Sequence, residues 1–135
     1  MPAWWRALSA GLALAMIGFG LPLFVAPQAV LAMWPWTLTP LTARAVAAWL
    51  LGVGVSVGQG AWENDLERVR SVGIGLLTFA ALQVVALARY PGAFAWGTLP
   101  GNAFLLGVSA LAVLGGWVLL DGRRAAAARA ALGTT

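Results

Sequence analysis

A chain of 135 residues, 61% hydrophobic and only 9% charged, cannot hide its apolar surface inside one small soluble domain, so lipid must serve as part of its solvent. Eight arginines, no lysine and four acids give a net charge of +4, too sparse for a nucleic-acid footprint but suited to anionic headgroups. Without Cys or His there are no disulfides, thiolate nucleophiles, Cys- or His-based metal sites or His-ligated haem, and no cofactor or metal is implied.

Four apolar stretches approach the roughly 20 residues that cross a hydrocarbon core. They cover about residues 7–26, 41–60, 71–88 and 102–120, and together predict one all-α domain, a transmembrane four-helix bundle. The first is long for the apolar region of a signal peptide. Pro22, Leu23, Phe24 and Val25 supply no small-residue cleavage site, so it reads as a true span with Pro22 as a place for a bend. Pro27 closes it, and Met33-Trp34-Pro35-Trp36 forms an interfacial loop. Thr39-Pro40 opens the second span, with the hydroxyl as cap and proline in the first turn.

The polar run from Glu63 to Arg70 separates spans two and three. Asn64 and Glu67 have capping-box spacing, and Asp65–Arg68 and Glu67–Arg70 are pairs three residues apart on a helix beginning near Asp65. This short connection predicts spans two and three as antiparallel neighbours. Tyr90-Pro91-Gly92 ends the third span, and the segment from Trp96 to Asn102 leads into the fourth. Gly122 ends or kinks the fourth, leaving an Ala/Arg tail over residues 122–135. Trp36-x-x-x-Pro40 and Trp96-x-x-x-Pro100, with Leu50-Leu51-Gly52-Val53 and Leu105-Leu106-Gly107-Val108, hint at a duplicated hairpin.

Arginine sets the orientation. Arg6, Arg68, Arg70, Arg123, Arg124 and Arg129 share one side, against Arg44 and Arg89 on the other, so both termini are expected in the cytoplasm. Tryptophan agrees, with Trp4, Trp5, Trp62 and Trp117 near the inner interface and Trp34, Trp36 and Trp96 near the outer one. Only Trp49 lies deep in a span.

Three sets of residues carry candidate roles. Gly52, Gly54, Ser56, Gly58 and Gly60 give span two small-xxx-small spacing, suited to close packing within the bundle or to a partner subunit or second copy. Arg44 and Arg89, with Gln83, Asn102, Trp36 and Trp96, form a candidate outer site: guanidinium charge and indole faces for a lipid, quinone-like or anionic ligand. Gln59 and Gln83 need amide partners across the bundle. No acid lies inside a span, which argues against a proton or ion pump.

The run from Trp34 to Gly54, the run from Glu63 to Arg70, and Leu82-Gln83 through Ala88-Arg89-Tyr90-Pro91 resemble a family of uncharacterised bacterial four-span membrane proteins. The four-span layout is also similar to DoxX-like proteins. Both resemblances imply a multi-pass protein of the bacterial inner membrane without an assigned activity. No nucleophile–base pair or metal set can be assembled, so the chain is expected to be non-catalytic. The leading expectation is an accessory or scaffold subunit in contact with the bilayer and other membrane subunits. The alternative is a small ligand-binding or transport module at the outer leaflet.

Overall fold

The computed structural model describes the backbone of residues 2–63 and 66–132, with side chains for 2–63 and 70–122. All regular structure among the described residues is helical. Helix α1 spans Ala3–Val25, the short α2 spans Pro27–Val30, α3 spans Pro40–Glu63, α4 spans Leu66–Arg89 and α5 spans Leu99–Leu132. Single 3-10 turns at Leu31–Met33 and Pro91–Ala93 shape the two long loops. Four of these helices are long and apolar enough to cross a bilayer.

Each long helix outruns its apolar stretch. Hydropathy marks where lipid begins, whereas backbone hydrogen bonding carries the helix on through Trp4, Trp5 and Arg6, or through Trp62 and Glu63. Helix α1 continues past Pro22, with the Ala26 N–H donating to the Pro22 carbonyl at 2.8 Å. Gly122 does not end α5, which runs on to Leu132 through a tail dominated by alanine, the strongest helix former. Asn64 and Asp65 lie outside the described residues, as do the side chains of Leu66, Glu67, Arg68 and Val69. The capping box and ion pairs expected there fall with them.

The expected cap of α3 is present and reciprocal. Thr39 Oγ1 accepts from the Thr42 N–H at 3.3 Å, and the Thr39 N–H donates to Thr42 Oγ1 at 2.9 Å. Thr98 caps α5 in one direction only, its Oγ1 accepting from the Gly101 N–H at 3.2 Å while its hydroxyl donates to the Ala95 carbonyl at 2.7 Å. The carbonyl of Ala95 occupies the place where a Cβ on residue 101 would stand, so glycine is required there.

The helices form a ring in chain order, but the contacts are uneven. Helix α1 packs closely on α3, and α4 on α5; contacts of α1 with α5 and of α3 with α4 are slight. Spans two and three do touch, and the rings of Trp49 and Phe79 stack there at 4.0 Å. The tight pairs are instead those joined by the longer loops. Glycines explain this. A Cβ on Gly54 would stand 3.0 Å from Ile17 and 3.3 Å from the Ala13 carbonyl, and one on Gly115 would stand 2.6 Å from the Gly73 carbonyl. Removing side chains at the crossings lets backbones touch, and dispersion holds them where lipid offers no hydrophobic drive.

The two hairpins repeat local conformations. Ala26 (φ −133°, ψ 67°) precedes Pro27 as Tyr90 (φ −129°, ψ 54°) precedes Pro91. Trp34 (φ −95°, ψ 141°) and Phe94 (φ −98°, ψ 136°) then close the 3-10 turns alike. Each loop next delivers a tryptophan and a threonine cap. The two Leu-Leu-Gly-Val runs stand at different distances from their caps, so the likeness lies in the loops.

Candidate functional site

The two long loops meet at one end of the bundle, the end read as external from the arginines. The Ala95 N–H donates to the Pro35 carbonyl at 2.8 Å, tying loop to loop. Around that bond the rings interlock. Trp34 stacks on Phe19 with centroids 5.9 Å apart and meets Trp36 edge-on at 5.0 Å; Phe104 lies edge-on to both tryptophans. Phe94 completes the set beside Trp36 and Phe104. Gly97 turns the second loop at φ +72°, a left-handed conformation that suits glycine. Trp96 donates its indole N–H to the Pro91 carbonyl at 2.7 Å.

At the opposite end the hairpins are pinned by Trp117 of α5, whose ring lies 5.7 Å from Trp4 and 5.8 Å from Trp5. Trp5 is buried and reaches toward the Leu114 carbonyl at 3.5 Å. Between this pin and the loop roof, a partly open cavity of about 580 Å³ separates the pairs. Leu12, Ala15, Met16 and Phe19 line it from α1, and Ala103, Phe104, Gly107, Val108 and Leu111 from α5. Met33, Trp34 and Pro35 cover it, with the stacked Trp49 and Phe79 as a further wall. Every lining side chain is hydrocarbon, aromatic or thioether, apart from the indole N–H groups. That of Trp34 is buried without a hydrogen-bond partner. Such walls accept an apolar body and reject a charge.

The outer site expected from the sequence is dispersed. Gln83 and Trp36 do come together, lining a groove of about 250 Å³ with Ala86, Leu87, Tyr90, Ala93 and Phe94. Arg44, Arg89, Trp96 and Asn102 are exposed and do not line it. Arg44 turns toward α1, its Nε–H donating to the Phe24 carbonyl at 3.2 Å. That carbonyl is one of the last of α1, left without a partner within the helix, so the guanidinium closes a helix end.

The glycine face of α3 divides by direction. Gly54 is buried against α1 and Gly58 leans on Ala13, while Gly60 is buried near Trp5 and Ser9. Gly52 has nothing within 4 Å of its Cβ position, and Ser56 is exposed with its hydroxyl donating back to the Gly52 carbonyl at 2.9 Å. Gln59 finds its partner on its own helix, donating to Glu63 Oε1 at 2.8 Å.

The cavity itself was not visible in the sequence. One signal pointed to it: Trp49, the single tryptophan far from either interface, forms part of its wall. Four membrane-length apolar helices around this void define a multi-pass integral membrane protein. No known protein family, characterised protein or solved structure matches the chain.

Proposed function

We propose that this protein is a non-catalytic binder of an apolar molecule drawn from the bilayer, an acyl-chain lipid or a quinone-like ring, held in the cavity between the hairpins. The observation that carries this reading is the cavity. Its volume of about 580 Å³ falls within the roughly 300–1,000 Å³ of small-molecule sites, and its walls are aromatic and aliphatic throughout. The weak contact between hairpin pairs supports it too, since a filled interface would leave no such space.

Filling the void tests the reading. A Cβ on Gly107 meets nothing within 4 Å, and this residue lines the cavity. Gly107→Phe is expected to place a ring in the void, leave the melting temperature in detergent unchanged or higher, and lower co-purified lipid or quinone several-fold by mass spectrometry of extracts. Identical extracts from both proteins would rule the cavity out as a binding site.

The accessory-subunit reading keeps one support, the exposed Gly52 and Ser56 on α3. In either reading the likeness to bacterial four-span proteins favours a bacterial inner membrane, with the loop roof outside. Reporter fusions after Arg70 and at the C-terminus should then read cytoplasmic, and fusions near Thr37 and Ala95 external. The inverse pattern would reverse the orientation and move the cavity to the inner leaflet.

A further inference from the structure

A further concave surface, distinct in its lining from the cavity, lies toward the other end of the bundle. Ala3, Ala7 and Ala10 of α1 face Gly58, Ala61 and Trp62 of α3 across an open groove of about 410 Å³. The small side chains leave a trough between two helices that otherwise pack closely. Arg6 stands over it, the sole charged residue among the described residues of its lining. The Nε–H of Arg6 donates to the Ala61 carbonyl at 3.2 Å, and its other four N–H donors have no hydrogen-bond partner among the described residues. No carboxylate pairs with Arg6 among the described residues, and Glu63 already accepts from Gln59. The first turn of α1 holds no acid and no capping side chain, so its positive dipole end adds to the same field. Trp62 is 88% exposed, an indole placed where headgroups meet acyl chains.

A cation that presents a planar fork, a bare helix start and an interfacial indole sit above a narrow apolar trough. We infer that this groove binds an anionic phospholipid, its phosphate on Arg6 and one acyl chain along Ala7, Ala10 and Gly58. Arg–phosphate pairing supplies the preference for an anionic head, because a guanidinium offers two parallel N–H donors to one phosphate. The trough supplies the requirement for a chain. A free phosphate would satisfy the first feature and ignore the second.

Native mass spectrometry of the purified full chain tests this with phosphatidylglycerol and phosphatidylcholine of matched acyl chains. The wild type is expected to retain phosphatidylglycerol roughly tenfold better, the minimum for a hydrogen-bonded charge pair. Arg6→Gln is expected to erase that preference, and Arg44→Gln, the same charge change at the other end, to keep it. Ala7→Leu, which fills the trough, is expected to weaken retention of both lipids. Excess inorganic phosphate should leave phosphatidylglycerol bound. Equal retention of the two lipids by the wild type overturns the inference without recourse to any variant. So does displacement by inorganic phosphate, or a preference that survives Arg6→Gln in a protein of unchanged melting temperature.

Discussion

Gly115→Ala is expected to destabilise the protein by about 1–3 kcal/mol, and Gly115→Leu to separate α4 from α5. The reason is a backbone contact. A Cβ on residue 115 would stand 2.6 Å from the Gly73 carbonyl oxygen, 3.1 Å from Leu77 and 3.2 Å from Leu76. Side chains at the far end of a rotamer can move aside; a carbonyl inside a helix cannot without breaking its own hydrogen bond. Gly116, the next residue, provides the control, since nothing lies within 4 Å of its Cβ position. There alanine should stabilise by roughly 0.5–1 kcal/mol, because it loses less backbone freedom than glycine on forming a helix. Denaturation of the detergent-solubilised protein measures both. Equal effects at 115 and 116 would mean that α4 and α5 do not cross at this point.

The second large effect is expected at Gly54. Its Cβ position lies 3.0 Å from Ile17, 3.2 Å from Met16 and 3.3 Å from the Ala13 carbonyl, so Gly54→Leu must push α1 away from α3 at a cost on the order of 3 kcal/mol. Gly52→Leu points into open space and should leave thermal stability intact. This pair also separates the two proposed roles. If a partner subunit docks on α3, it docks on the exposed side, and Gly52→Leu abolishes co-purification while the monomer stays folded. Loss of stability at 52 with none at 54 would invert the assigned rotation of α3.

Much of the architecture was legible along the chain, for reasons that can be named residue by residue. Thr39-Pro40 announced the start of α3 because a hydroxyl cap and a ring-fixed φ act locally, and the reciprocal Thr39–Thr42 bonds realise that signal. Gly97 and Thr98 carry an equally local signal for α5. The ends of the helices were less legible. The Ala/Arg tail after Gly122 is polar enough to leave lipid, yet its alanines keep it helical, and hydropathy is blind to that difference. Only part of the expected outer set shares one groove, for another reason. Arg44 and Arg89 were linked by depth alone, and depth says nothing about direction. Arg44 turned to the end of α1, while Gln83 and Trp36 met without it.

The number of spans and the Thr39 cap were legible in the chain, because backbone hydrogen bonding in lipid demands helices and a cap is written in neighbouring residues; which helices pair closely was not. Tertiary structure alone decided how each helix is rotated. In water a buried face is marked by polar residues on the opposite side, a period that a sequence displays. In a bilayer the opposite side meets hydrocarbon and is as apolar as the core, so the mark is lost. Gly52 and Gly54 are two residues apart and chemically identical, yet one faces open space and the other α1. The cavity depends on the same undetermined rotations. Phe19, Trp49, Phe79 and Phe104 come from four different helices, and only their packing leaves a space among them.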